Sequence, residues 1–119
     1  MLAVERLLQI ENLIVAKAAR IVVLEVDGGL LRLIIYFQDN SNLRVAEYWS
    51  RETLRRYSYY WLTPENELKI GWDNAPHHTQ VESFPHHKHI GKQSGPRPSQ
   101  ETTLETVLPV ILAQIDKEK

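Results

Sequence analysis

IVVLEVDGGLLRLIIYFQDNSNLRVAEYW, Ile21 to Trp49, sets the fold class of this chain. It contains three runs rich in β-branched and aromatic residues, IVVLEV, LLRLIIYF and LRVAEYW, divided by the clusters DGG and DNSN. Glycine, aspartate and asparagine tolerate the positive φ of tight hairpins, so the stretch reads as an antiparallel meander of three strands. LLRLIIYF is apolar almost throughout, which predicts a strand inside the sheet with cover on both faces. Working outward, YSYYWL (Tyr57 to Leu62) and ELKIGWD (Glu67 to Asp73) repeat the strand signal on either side of a TPEN turn. Five strands are expected in total. The polar stretch from Ser50 to Arg56 between the third and fourth strands reads as a turn or one helical turn.

Helices are expected at both ends. Val4, Leu7, Leu8, Ile14, Val15 and Ala18 fall near helical spacing in the first 20 residues, with Glu5, Arg6, Glu11, Asn12 and Lys17 at polar positions. Leu104, Val107, Leu108, Ile111, Leu112 and Ile115 form a clean i, i+3, i+4 stripe, entered through a capping box between Thr102 and Glu105. Pro109 should bend this helix or shift its start. The segment from Asn74 onward through QSGPRPSQ looks irregular, since Pro76, Pro85, Pro96 and Pro98 withhold backbone donors. The expected fold is therefore α+β, a five-stranded antiparallel sheet flanked by an N-terminal and a C-terminal helix packed mainly on one face. Such a sheet leaves its second face to a ligand, a partner or water.

Composition narrows the function. A chain of 119 residues is read as a single domain, 1–119, with one core. No apolar run approaches the roughly 20 residues that cross a bilayer, and no secretory pattern opens the chain, so a cytoplasmic protein without membrane contact is expected. The lack of cysteine removes disulfides and thiolate chemistry. A formal net charge of −1 gives no global attraction to nucleic acid, yet Phe84 to Pro98 carries Lys88, Lys92 and Arg97 and no acid.

All five histidines fall in DNAPHHTQVESFPHHKHIG, Asp73 to Gly91. Three uses compete for them. Zinc takes three or four ligands, which histidine with Asp73, Glu47 or Glu82 can supply, but no zinc-motif spacing is present and no metal or other cofactor is assigned. A solvated surface loop is the bland alternative. The third use is acid/base work on a phosphodiester, where a base takes the 2′-hydroxyl proton, an acid protonates the departing 5′-oxygen and cations hold the phosphate. Histidine has a pKa suited to both proton roles, and Lys88 or an arginine suits the last.

Three other features bear on that choice. Tyr57, Tyr59 and Trp61 share one strand face, either as core or as a stacking platform for bases, and core is the commoner use. Glu47 stands on the face of Leu43, Val45 and Trp49, where alternation calls for an apolar side chain, so its charge must be paired or set in a cleft. Arg51, Arg55 and Arg56 form a second basic cluster, and Asp73 with Asn74 suits a side-chain-capped turn.

LRVAEYW, RRYSYYWL, DNAPHH and FPHHKHIG, in this order, resemble the TumE family of toxins from archaeal and bacterial toxin–antitoxin modules over Ile21 to Gly91. The resemblance implies a small α+β toxin neutralised by an antitoxin encoded beside it, with RNA as the implied target. Positions matching the family's motifs are Glu47, Tyr57, Tyr59, Asp73, Asn74, His77, His78, His86, His87 and His89. Gly71-Trp72 departs from the arginine and aromatic expected before Asp73, which removes one candidate phosphate-binding cation. The combined expectation is metal-independent RNA cleavage. His78 and His87 would exchange the proton, Glu47 would orient one of them, and Lys88 and Arg56 would hold the phosphate. Tyr57, Tyr59, Asp73, Asn74, His77, His86 and His89 would line the substrate. A cognate antitoxin is the expected partner, and a homodimer is compatible with the sequence. The rival expectation is a non-catalytic histidine-rich module that binds a metal or a partner.

Overall fold

The computed structural model describes residues 1–17, 20–92 and 95–118; Ala18, expected in the first helical stripe, and Gln93 and Ser94 of QSGPRPSQ lie outside the described residues. Helix α1 spans Ala3–Ile14, and Glu5 accepts a hydrogen bond from the Leu2 N–H at its start. The strands follow as β1 (Arg20–Asp27), β2 (Leu30–Tyr36), β3 (Asn42–Ser50), β4 (Thr53–Leu62), β5 (Leu68–Asp73), β6 (His87–Ile90) and β7 (Arg97–Pro98), and α2 (Leu104–Lys117) closes the chain. The sheet is a seven-stranded antiparallel meander in sequence order.

The expected five strands are thus corrected to seven. The two additional strands, β6 and β7, come from the proline-bearing segment read as irregular. Proline forbids a donor only at its own position, and the four residues of β6 contain none, so they pair with β5 from His87 opposite Asp73 to Ile90 opposite Ile70. Pro98 sits on the outermost strand, the position that tolerates it. The stretch after Ser50 is a hairpin rather than a helical turn. Arg51 takes a positive φ of 55°, and Arg55 is the extra residue of a bulge, because Tyr48 pairs with Arg56 and Trp49 with Leu54.

Both helices cover the same face of the sheet. Leu31, Leu33 and Ile35 of β2, Leu43 and Val45 of β3, Tyr59 and Trp61 of β4 and Ile70 and Trp72 of β5 meet Ile10 and Ile14 of α1 and Leu104, Val107, Leu108 and Ile111 of α2 in one core. The cap of α2 is Thr103, whose hydroxyl accepts from the Thr106 N–H, one residue later than the expected pairing of Thr102 with Glu105. Pro109 lies within the helix, which continues beyond it to Lys117.

The core contains an ionic cluster. Arg6 projects from the buried stripe of α1, Ala3, Arg6, Ile10 and Ile14, into the sheet. Its Nε and Nη2 donate to Glu47 at 2.8 and 3.1 Å, its Nη1 and Nη2 donate to Glu105 at 2.7 and 2.8 Å, and Nη1 also donates to Gln9 at 3.1 Å. These bonds use all five guanidinium donors. Burial works against the charge on Arg6, but its bonds to Glu105 and Glu47 outweigh it and its pKa is raised further. Glu47 also accepts from Trp49 Nε1 and the Tyr59 hydroxyl. Four donors thus fill its lone-pair sites, and burial together with Glu47 keeps the Tyr59 phenol protonated as a donor.

Candidate functional site

The uncovered face of the sheet brings chemistry together. Register places Ser58, Asp73 and His87 side by side on β4, β5 and β6, with Tyr60, Gly71 and His89 as the adjacent row. His87 and His89, two residues apart on a strand, therefore point the same way. The loop after β5 folds back so that the His78 ring lies 4.8 Å from that of His87 and 5.7 Å from that of His89, while His87 and His89 are 5.2 Å apart, centre to centre. The loop is pinned by the buried Val81, whose N–H donates to the His78 carbonyl.

Asp73 organises this group. One carboxylate oxygen accepts from the Ala75 N–H at 2.9 Å and faces His87 Nε2 at 3.0 Å; the other accepts from the Tyr60 hydroxyl at 3.0 Å. Burial and then Asp73 push the Tyr60 phenol up to about 12, so it stays a donor. His87 Nδ1 faces the Pro85 carbonyl at 3.1 Å. Both nitrogens of this buried ring thus meet oxygens that only accept. The pKa of His89 is lowered, chiefly by burial and next by His87.

A shallow depression of about 240 Å³ lies beside the group, floored by Ala46 and Ser58 and walled by Tyr48, Arg56, Tyr60 and Asp73. Arg44, opposite Tyr60 in register, extends the basic surface along this face. Tyr48 is 47% exposed and presents its ring to solvent. Gly71 has a definite use here: a Cβ at this position would lie 2.4 Å from Tyr60 Cδ1, so the tyrosine ring occupies the place a side chain would take. The departure from the family pattern noted above is the space that lets Tyr60 cross the sheet toward Asp73.

Other expected site residues lie elsewhere. Lys88 points to the helix face, where it donates to Glu101 at 3.1 Å beside Trp72. This is the strand alternation at work, since neighbours on β6 face opposite ways. Glu47 is also under the helices, and its acceptors are occupied, so it does not orient a histidine. Tyr57 and Tyr59 are buried in the core; the Tyr57 hydroxyl meets His86 Nδ1 at 2.9 Å with the rings stacked. Burial and then His87 lower the pKa of His86. Asn74 is buried and extends the β4–β5 ladder with its amide, accepting from the Tyr57 N–H and donating to the Arg55 carbonyl. His77 is exposed and lies outside the histidine group. Of the expected residues, His78, His87, His89, Asp73 and Arg56 share the open face.

Sequence reasoning missed three contributors. Arg6 was placed among polar positions, although its spacing from Ala3 and Ile10 marks the buried stripe. Glu105 stands at the start of α2 beside it, and its pKa is lowered, first by the bond from Arg6. Tyr60 lies on the face opposite the buried Tyr59, and no sequence pattern pairs it with Asp73.

An antiparallel sheet shielded by helices on one side, with histidines, arginines and a bridging aspartate on the other, defines a small α+β protein with a ligand-sized site on an open sheet face. The family model described as Toxin TumE matches residues 4–119, and the chain belongs to that toxin family. No curated protein and no solved structure matches it. No helix among the described residues is long and apolar enough to cross a membrane.

Proposed function

We propose that this toxin-family chain belongs to a toxin–antitoxin pair and acts on RNA by acid/base cleavage at the open sheet face. The reading rests on one arrangement: His78 and His89 stand beside a His87 whose two nitrogens face Asp73 and Pro85, next to a depression flanked by Arg56 and Tyr48. Both His87 nitrogens face protein oxygens, whereas His78 and His89 are part-exposed, so the exchange is assigned to His78 and His89. The lowered pKa of His89 suits it to accept the 2′-hydroxyl proton, and His78 returns one to the departing 5′-oxygen. Arg56 and Arg44 anchor neighbouring phosphates, and Tyr48 offers a ring for a base. Lys88 and Glu47 take no part.

An antitoxin has surface available at the opposite edge. Among the described residues strand β1 pairs on one side only, and Val23, Leu24 and Val26 are exposed along it, as are Leu2 just before α1 and Val4 and Leu8 on it.

The test is cleavage of total RNA by tag-free protein in chelator. His78→Ala and His89→Ala should each slow cleavage by about 10²-fold or more, the usual weight of one acid/base group. Both variants should still bind the product of the neighbouring gene. Cleavage by either variant at the wild-type rate would remove the assignment.

A further inference from the structure

We infer that His78, His87 and His89 form a binding site for one zinc-class divalent ion. Each residue offers one ring nitrogen, and these atoms lie within 4.8 Å of one another. The rings are mutually steep, at 77°, 69° and 89°, with centres 4.8, 5.7 and 5.2 Å apart. Three imidazoles on a tetrahedral ion with metal–nitrogen bonds of about 2.1 Å hold their centres about 5 Å apart. The trio is therefore spaced as ligands around a common point, and small rotations of the two part-exposed rings bring the nitrogens into range.

The surroundings also match a metal site. Metal-bound histidine characteristically donates its second N–H to a carboxylate or a backbone carbonyl. His87 has both partners in place, Asp73 at 3.0 Å and the Pro85 carbonyl at 3.1 Å; the nitrogen that turns to the ion gives up its oxygen, and the other keeps its own as the N–H partner. Asp73 is itself held by Tyr60 and Ala75. Two ligands come from one face of a paired strand and the third from a loop anchored by Val81, so the geometry is largely set before the ion arrives. An all-imidazole set favours zinc, cobalt, nickel or copper over magnesium and calcium, which require oxygen ligands. His78 and His89 are part-exposed, which leaves a fourth position open to solvent or a substrate oxygen.

Two of these imidazoles, His78 and His89, carry the proton exchange proposed above, so on that reading an occupied site is inactive in acid/base cleavage and the ion acts as an inhibitor. Binding itself does not depend on that reading.

The experiment titrates tag-free full-length protein with zinc by calorimetry and with cobalt by absorption, with RNA cleavage followed in parallel. One ion per chain is expected, with the intense visible bands of tetrahedral cobalt and a rise in Tm on adding zinc. His78→Ala and His89→Ala should each weaken binding by at least about tenfold, while His77→Ala, outside the trio, leaves it unchanged. Circular dichroism of each variant separates lost ligation from lost fold, and the Tm response to zinc in a folded His89→Ala chain gives an independent reading. Absence of binding below millimolar zinc, or an equal loss on His77→Ala, overturns the inference. Zinc bound with no cleavage of RNA under any condition overturns the proposed function and leaves the metal site standing. Cleavage in chelator with no zinc bound does the reverse.

Discussion

Replacing Arg6 with methionine removes a cation that donates five hydrogen bonds inside the core and leaves Glu47, 1% exposed, with only Trp49 and Tyr59 as donors. Removing one partner of a buried ion pair costs about 3–5 kcal/mol, because the remaining charge has neither water nor counterion. The Glu105 side chain is 49% exposed and recovers water, so the cost falls on Glu47 and the lower end, about 3 kcal/mol, applies. Against a typical total of about 5–15 kcal/mol for a domain, this is a large fraction of the stability. Urea unfolding followed by the fluorescence of Trp49, Trp61 and Trp72 measures it. Adding Glu47→Gln to Arg6→Met removes the stranded charge and should restore about 1–2 kcal/mol, a coupling expected of residues in direct contact. A loss below about 1 kcal/mol in Arg6→Met, or strict additivity in the double variant, would refute the claim that this cluster is a structural clasp. Loss of RNA cleavage in Glu47→Gln at unchanged stability would refute it from the other side.

Gly71→Ala should cost about 1–3 kcal/mol in urea unfolding, because the new methyl displaces the Tyr60 ring, and spectrophotometric titration should find the Tyr60 phenol below its present value of about 12 as its bond to Asp73 is lost. Lys88→Met should change stability by no more than about 1 kcal/mol and leave RNA cleavage intact, since the lysine pairs with Glu101 on the helix side; a tenfold loss of cleavage would put it back at the phosphate. Glu105 has a carboxyl pKa held below its ordinary 4.5 by Arg6, so its contribution is present above that value and lost as the pH falls below it; the acid limb of a stability–pH curve should flatten in Arg6→Met.

Local pattern carried the helices and the first five strands, because hairpins and amphipathic stripes are written in residues close in sequence. Even the clash of Glu47 with its apolar face was visible at that level, as a charge needing a partner. Its partner was not, since Arg6 lies 41 residues away and Glu105 on another helix. Strands β6 and β7 escaped because each is too short for a periodic signal and is held by the neighbour it pairs with. The histidines divide on the same physical ground. Sequence alone determined that all five cluster after the fifth strand. Only tertiary pairing decided that His87 and His89 share one face of a strand and that this face is the open one, that His86 and Lys88 turn to the helices, and that His78 folds back to meet the other two. Register across a sheet depends on energies summed over many distant pairs, so no window of residues contains it.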